Sequence, residues 1–267
     1  MFGHPVGHSR SPWIHGRFAE LTGQSLSYEA RDVPPGDFAA ALELFLAAGG
    51  KGLNITVPHK LAAFAAAARL TPRARRAGAV NTLAVEPAGL LGDNTDGAGL
   101  LRDLQANLGV QVAGRRVLLL GAGGAARGAL PALLDVRPRE LVVANRSVDK
   151  AVALATEFVS DGPVSGMGLD AAHGPFDLVV NATSASLAGE VPELAANTIG
   201  AGTFCYDMAY GTAPTAFMQW ANRHGAAGVA DGIGMLVEQA AESFELWRGV
   251  RPPTAAVLAE LRRHLAR

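Results

Sequence analysis

A lysine stands where an amine could take part in proton transfer. The segment "NITVPHK", residues 54 to 60, reads as a short extended run that ends at Pro58 and is followed by Lys60. Of the 23 basic residues, only Lys51, Lys60 and Lys150 are lysines. Arginine stays protonated, whereas an amine can give up its proton. Lys60 is therefore a candidate for chemistry that arginine could not perform.

A glycine-rich turn lies between an apolar strand pattern and a helix pattern. The run "GAGGAA", residues 121 to 126, directly follows the apolar residues Val117 to Leu120. Small residues there allow a tight turn and let a pyrophosphate approach the backbone amides at the helix start. A turn without a ligand is the alternative, but the strand-turn-helix context favours a dinucleotide site. The residues predicted to contact the cofactor here are Gly121, Ala122, Gly123, Gly124 and Ala125.

The residues that distinguish NADP from NAD are expected at the end of the next strand. After "ELVVA" come Asn145, Arg146 and Ser147, where an NAD enzyme would offer an acidic side chain to the ribose 2′-hydroxyl. No acid is present, and Arg146 with Lys150 offers positive charge to a 2′-phosphate instead. The pattern favours NADP over NAD, although a solvated helix start would look the same.

Two serines and an aspartate lie at predicted helix starts. Ser9 and Ser11 in "GHPVGHSRSP" could bind a carboxylate with help from the helix dipole. The alternative, which the residues alone favour, is that Ser11 merely caps its helix. Taken alone, the stretch "NTDG" around Asp96 is more typical of a turn and helix cap than of a catalytic site.

The histidine spacing does not predict a metal site. His4, His8, His15 and His59 fall within the first 60 residues, but their spacing fits neither a helical pair nor a finger motif. We therefore expect no bound metal.

The elements that must position these residues alternate between strand and helix. A helix is predicted from a cap at Ser11, with Pro12 in its first position, to Gly23. Strand patterns are "LSYEARDV" and "GLNITV", and helix patterns are "GDFAAALELFLAAGG" and "LAAFAAAARL". The segment "AVNTLAVEPAGLLGDNTDG" predicts a hairpin. Continuous apolar strands at 117–120, 141–144, 177–180 and 203–206 then predict a parallel sheet covered on both faces.

Composition limits the class of partner. Hydrophobic residues make up 49% and charged residues 18% of the 267, which is typical of a globular α/β protein. The formal net charge is −1 and no long basic block occurs, so neither nucleic acid nor an acidic membrane is indicated. The single cysteine, Cys205, lies in an apolar run and is expected to be a buried thiol. The sequence predicts a cytoplasmic protein with a small-molecule substrate, and it leaves monomer or homodimer open.

Taken in order, the motifs resemble the shikimate dehydrogenase family along nearly the whole chain. They are "GHPVGHSRSP", "KGLNITVPHK", "AVNTL", "GDNTDGAG", "GAGGAARG", "NRS", "VNATS", "YDMAY" and "DGIGMLVEQAAESFELW". The resemblance implies reversible, NADPH-dependent reduction of 3-dehydroshikimate to shikimate, on the route to chorismate and the aromatic amino acids. It also implies that Lys60 and Asp96 form the catalytic pair. The residues that it assigns to the substrate are Ser9, Ser11, Thr56, Asn81, Tyr210 and Gln239, and those that it adds at the cofactor are Thr183, Met208 and Gly232.

The chemistry agrees with this choice of pair. Hydride arriving at a ketone carbon leaves alkoxide character on the oxygen, which needs a nearby proton donor, and the reverse reaction needs a proton acceptor. Lys60 can serve in both directions, and a neighbouring Asp96 would orient its amine. Which of the two formally carries the proton stays open.

The family architecture implies an α/β fold with a discontinuous domain. Residues 1–96 and 232–267 would form a mixed-sheet substrate domain, and residues 97–231 a Rossmann-type, doubly wound NADP domain. The family has several residues of edge strand before the first glycine, where this chain has Met1 and Phe2. The N-terminal edge of the first sheet is therefore an open question.

Two other functions remain possible. One is a quinate/shikimate dehydrogenase that uses NAD, which Arg146 and the missing acid at 145–147 disfavour. The other is a non-catalytic NADP-binding sensor with the same fold, which Lys60 and Asp96 disfavour.

Overall fold

A computed structural model describes residues 1–265, with the side chains of all but Leu187 and Ala196. The chain divides into two compact units. The first consists of Met1–Gly99 and Leu236–His264, and the second is built on Leu100–Met235. The first unit is thus assembled from both ends of the described chain.

Strands and helices alternate along most of the sequence. The strands are β1 (Phe2–Gly3), β2 (Arg31–Asp32), β3 (Gly52–Asn54), β4 (Arg69–Leu70), β5 (Thr82–Glu86), β6 (Gly89–Asp93), β7 (Arg116–Leu120), β8 (Glu140–Ala144), β9 (Val164–Met167), β10 (Leu178–Asn181), β11 (Phe204–Asp207) and β12 (Gly228–Ala230). The α-helices are α1 (Ser11–Thr22), α2 (Phe38–Ala47), α3 (Lys60–Ala66), α4 (Pro72–Ala77), α5 (Asp96–Arg102), α6 (Gly124–Asp135), α7 (Val148–Thr156), α8 (Ala216–Arg223), α9 (Ile233–Arg248) and α10 (Thr254–Leu265). A π-helical turn, Asp103–Asn107, continues α5, and short 3-10 helices span Ala185–Ala188 and Ala196–Thr198.

The first unit holds a mixed sheet. Its four strands lie in the order β3-β5-β6-β4. β5 is antiparallel to both β3 and β6, and β4 is parallel to β6. β5 and β6 form the predicted hairpin, which turns at Gly89 with a φ of +105° that glycine adopts readily. The short β1 pairs with β2, and Phe2 also bridges to Ile55. Phe2 thus connects the short β1–β2 pair to the segment that follows β3.

Two element predictions in the first unit were wrong in length. The segment "LSYEARDV" contains only the two-residue β2, whose side chains are both exposed. The helix predicted for residues 61–70 ends at Ala66, and β4 follows it. Pro72 begins α4 and Thr71 caps it, so the chain must leave the α3 conformation before this point. A Cβ on Gly92 of β6 would lie 2.9 Å from Ala67 and 3.0 Å from Leu70, so glycine allows this close pairing.

The second unit holds a six-stranded parallel sheet in the order β12-β11-β10-β7-β8-β9. Alternate residues of each strand enter opposite apolar clusters: Val117 and Leu119 belong to one, Leu118 and Leu120 to the other. Burial on both faces explains the continuous apolar runs. Read from the other edge, the strand order is that of a Rossmann fold, so the predicted fold class is confirmed.

Cys205 lies within this sheet and is fully buried. Burial raises the pKa of its thiol to about 12, so the thiol is a core group rather than a nucleophile. Among residues 1–265, no helix combines the length and the apolar character needed to cross a membrane.

Candidate functional site

Lys60 and Asp96 meet at the starts of two helices of the first unit. Lys60 is the first residue of α3. Asp96 is the first residue of α5, and two residues connect it to the hairpin strand β6. The Lys60 Nζ donates to Asp96 Oδ2, and the two side chains are only 12% and 8% exposed. The structure therefore brings the predicted pair into direct contact in a largely buried position.

Neighbouring groups hold each member of the pair in place. His59, just before Lys60, is buried, and its Nε2 lies 2.7 Å from the carbonyl oxygen of Val33. Asn94 Oδ1 accepts from the Asp96 amide at 3.2 Å and so supplies the turn contact at the start of α5. The Asp96 carboxylate is left for other contacts. The turn contact expected in "NTDG" is thus made by the Asn94 side chain and not by that of Asp96.

Asn81 connects Asp96 with a third element. Its Nδ2 donates to Asp96 Oδ1 at 2.8 Å and lies 3.5 Å from Gln239 Oε1 on α9. Thr95 Oγ1 also donates toward Gln239 Oε1, at 3.3 Å. Lys60, Asn81, Asp96 and Gln239 therefore form one polar cluster within the first unit.

The remaining residues predicted to bind substrate fall in both units. Thr56 lies four residues before Lys60, and its methyl group packs against Gly3. A Cβ on Gly3 would lie only 2.2 Å from that methyl carbon. Ser9 Oγ accepts from the Ser11 amide at 3.3 Å, so these two serines are neighbours. Tyr210 belongs to the second unit and follows β11.

The structure corrects the capping explanation for Ser11. The cap position of α1 is Arg10, with no side-chain hydrogen bond to the helix, and Ser11 is already its first helical residue. Gly23 ends α1 in the left-handed conformation, as predicted. Because Ser11 does not cap the helix, the alternative that the residues alone favoured is wrong.

In the second unit, the glycine turn lies where the strand order reverses. Gly121 follows β7, which is central and is flanked by β8 and β10. Its amide donates to the Ala144 carbonyl at 2.8 Å, and a Cβ on Gly121 would lie 3.1 Å from the Ala182 carbonyl oxygen. Gly121 also has a φ of +105°, so it must be glycine for two reasons. In open α/β sheets, ligands bind at this switch point outside the strand ends.

The start of α6 can accept an anion. Gly123 occupies the cap position with no side-chain hydrogen bond, and the first turn of α6 carries no acidic residue. A Cβ on Gly123 would meet no atom within 4 Å, so space is open there. Unsatisfied amides at a helix start favour negative charge.

The basic residues predicted to select NADP follow β8. Arg146 and Lys150 are both exposed, and α7 begins at Val148 between them. Asn145 Nδ2 donates to the Ser147 carbonyl at 3.0 Å and shapes this turn. The turn starts from the strand next to β7, at the same end of the sheet as the glycine turn.

The other residues predicted at the cofactor lie at the ends of β10, β11 and β12. Thr183 donates through its hydroxyl to Asn181 Oδ1 at 2.7 Å. The Gly232 amide donates to the Ala209 carbonyl at 3.0 Å, and a Cβ on Gly232 would lie 2.2 Å from the Met208 carbonyl oxygen. Gly232 and Met208 are therefore brought together.

Sequence reasoning missed Asp207, at the end of β11. Its carboxylate is fully buried and accepts from Ser186 and Thr215 at 2.6 Å each and from Asn181 at 3.2 Å. Burial raises its pKa, and these hydrogen bonds oppose the rise. Asp207 thus joins the segments that follow β10 and β11 and that carry Thr183 and Met208. The only signal was its place in the quoted motif "YDMAY".

Within residues 1–265, no group of three or more His, Cys, Asp or Glu side chains could hold a metal ion.

Three family models match the chain in order. The model described as "Shikimate dehydrogenase substrate binding domain" matches residues 1–83. "Shikimate / quinate 5-dehydrogenase" matches residues 103–203, and "Shikimate 5'-dehydrogenase C-terminal domain" matches residues 232–262.

Individual relatives match over almost their whole length. "Shikimate dehydrogenase (NADP(+))" of Alkalilimnicola ehrlichii is 56% identical over 262 residues, which cover 98% of this chain and 97% of the relative. The structure of an Ael1 enzyme from Pseudomonas putida has a TM-score of 0.89 at 49% identity and covers 97% of this chain and 96% of its own. Shikimate 5-dehydrogenase from Thermus thermophilus, in complex with NADP(H) and shikimate, has a TM-score of 0.87 at 35% identity and covers 99% and 97%. This chain therefore belongs to the shikimate dehydrogenase family.

Proposed function

We propose that the protein catalyses the reversible reduction of 3-dehydroshikimate to shikimate with NADPH, as in chorismate biosynthesis. The observation that carries this proposal is the buried contact between Lys60 and Asp96. The names of the relatives support the same activity and cofactor. The alternative that uses NAD is not favoured, because Arg146 follows β8 where an acidic residue would bind the ribose.

Lys60 and Asp96 move the proton. In the reduction, charge develops on the ketone oxygen, and the Lys60 ammonium gives that oxygen a proton. In the oxidation, the same nitrogen accepts the proton of the alcohol. The Asp96 carboxylate holds the amine by accepting its hydrogen bond on Oδ2.

Polar residues around this pair hold the substrate. Thr56, Asn81 and Gln239 bind ring hydroxyls, and Asn81 and Gln239 already lie in the polar cluster with Asp96. Ser9 and Ser11 bind the ring carboxylate, and Tyr210 is the further residue that the family resemblance assigns to the substrate.

NADP fits the second unit. Open space at Gly123 and the uncapped first turn of α6 suit the pyrophosphate. The exposed Arg146 and Lys150 suit the 2′-phosphate. Asn145, Ser147, Thr183, Met208 and Gly232 complete the cofactor-binding set. When bound, NADPH supplies the hydride, and the protein supplies the proton and the orientation.

The two units divide these tasks. The predicted boundaries are residues 1–96 and 232–267 for the substrate domain and residues 97–231 for the NADP domain; residues 266–267 lie outside the described part of the chain. A cytoplasmic location and a monomeric or homodimeric state remain predictions from the sequence.

The direct test is a comparison of initial rates with shikimate and quinate, each with NADP and NAD. We expect the highest kcat/KM for shikimate with NADP. Higher values for quinate, or for NAD, would favour the quinate/shikimate alternative. No turnover with any pair would favour the non-catalytic sensor.

Replacing Ser9 or Ser11 by alanine should weaken shikimate binding more than NADP binding. Each substitution would remove one hydrogen bond to the shikimate carboxylate. Such a bond is worth about 1.5 to 3 kcal/mol, which corresponds to roughly a 10- to 150-fold rise in the KM for shikimate. Ser25→Ala, at an exposed position of the same unit, is the matched control. An unchanged shikimate KM in both variants would remove the serines from the substrate site.

A further inference from the structure

A chain of buried side chains reaches the Lys60–Asp96 pair from the core of the first unit. Asn54 of β3, Thr82 of β5 and Ser243 of α9 are 7%, 0% and 0% exposed. Asn54 Nδ2 donates to Ser243 Oγ at 2.9 Å and to Thr82 Oγ1 at 3.1 Å. The Thr82 hydroxyl donates to Asn81 Oδ1 at 2.9 Å, and Asn81 in turn contacts Asp96. None of Asn54, Thr82 and Ser243 was assigned a function above.

The neighbours of Asn81 fix the orientation of its amide. The backbone amide of Thr95 can only donate, and it lies 2.9 Å from Asn81 Oδ1. The Asp96 carboxylate lies 2.8 Å from Asn81 Nδ2. The Asn81 oxygen must therefore face Thr82 and Thr95, and its nitrogen must face Asp96.

This orientation determines which hydroxyl donates. Thr82 has one hydroxyl hydrogen, and Asn81 Oδ1 can only accept, so that hydrogen points to Asn81. Ser243 lies 2.8 Å from Thr82, but its own hydrogen also has an acceptor in the Gln239 carbonyl oxygen at 3.1 Å. The donors run from Asn54 through Thr82 and Asn81 to the carboxylate. Hydrogen bonds in such a series polarise one another.

We propose that Thr82 is a positioning residue for the proton-transfer pair. Its hydroxyl holds the Asn81 amide with Nδ2 against Asp96, so the carboxylate keeps the geometry in which it receives Lys60. Asn54 donates to the Thr82 oxygen and so leaves the Thr82 hydrogen for Asn81. The inference rests on the proposed function, because it assigns Thr82 to the same reaction.

The test compares two variants that change opposite properties of Thr82. Thr82→Val keeps the volume and the branched shape, which suit a strand, but removes the hydroxyl. Thr82→Ser keeps the hydroxyl and removes a methyl group. We expect Val to lower kcat/KM for shikimate by about 3- to 10-fold, the worth of one hydrogen bond, and Ser to retain most of the activity. A packing role would give the reverse order.

The same substitution in an Asn81→Ala background separates positioning from a general structural effect. If Thr82 acts through Asn81, Thr82→Val should cause no further loss of kcat/KM once Asn81 is alanine. Thermal unfolding shows whether each variant is folded at the assay temperature. If the valine variant does not fold, Thr82→Ala against Thr82→Ser repeats the comparison at smaller volume.

The outcomes distinguish this inference from the proposed function. The role of Thr82 is supported if the wild-type protein turns over shikimate, Thr82→Val lowers kcat/KM and Thr82→Ser retains it. It also requires that Thr82→Val causes no further loss of kcat/KM in the Asn81→Ala background. Wild-type activity in Thr82→Val, or an equal loss in both backgrounds, overturns that role and leaves the proposed function standing. No turnover by the wild-type protein overturns both.

Discussion

Replacing Lys60 by alanine is expected to lower kcat by about 10²- to 10⁴-fold, the usual contribution of a general acid or base. Without the Lys60 amine, the substrate oxygen loses its proton donor, and Asp96 loses the hydrogen bond that it accepts from Lys60. If Lys60 only bound substrate hydroxyls, the change would appear mainly in KM. Steady-state kcat and both KM values distinguish these outcomes.

Asp96→Asn should also lower kcat, because it removes the carboxylate while preserving much of the shape. The Lys60→Ala, Asp96→Asn double variant should be little worse than the poorer single variant, since the two residues act as one unit. Lys51→Ala, an exposed lysine of the same unit, is the matched control and should behave as the wild type. Fully additive losses would contradict a joint role for Lys60 and Asp96.

Replacing Arg146 by alanine is expected to raise the KM for NADP by roughly 10- to 150-fold and to change NAD kinetics little. The guanidinium would contact only the 2′-phosphate, and one charge-assisted hydrogen bond is worth about 1.5 to 3 kcal/mol. The loss should shrink as ionic strength rises, because Arg146 is exposed and salt screens its charge.

Arg139→Ala provides the matched control for Arg146. Arg139 is also exposed, and it precedes β8 whereas Arg146 follows it, so the same charge is removed at the other end of one strand. Its NADP kinetics should be unchanged. If Arg146→Ala affected NADP and NAD equally, Arg146 would not be the group that reads the 2′-phosphate.

Much of the second unit was predictable from the sequence because its strands are buried on both faces. The apolar runs at 117–120 and 141–144 are long and uninterrupted, so β7 and β8 were found within a residue. The glycine turn between β7 and α6 was predictable for the same reason, since both flanking elements were clear. β9 and β12 were not predicted, because "VSGM" and "GVA" are short and contain glycine.

The first unit was less predictable because its short strands depend on tertiary contacts. β4 is two residues long and exists through pairing with β6 across Gly92. Thr82 carries no local signal of its role, since its hydroxyl is buried and accepts from Asn54 on another strand. In the second unit, Asp207 likewise depends on Ser186, which is 21 residues away. The Lys60–Asp96 contact was implied by the family resemblance, and no spacing rule would have found it.

The most direct test of the proposed proton transfer is the kcat of Lys60→Arg. The guanidinium keeps the charge and can still donate a hydrogen bond to Asp96, but it does not release its proton. We predict that kcat falls about as far as in Lys60→Ala, with NADP binding, measured by fluorescence titration, retained. A kcat close to that of the wild type would show that Lys60 acts by charge or binding alone, and would contradict its role in proton transfer.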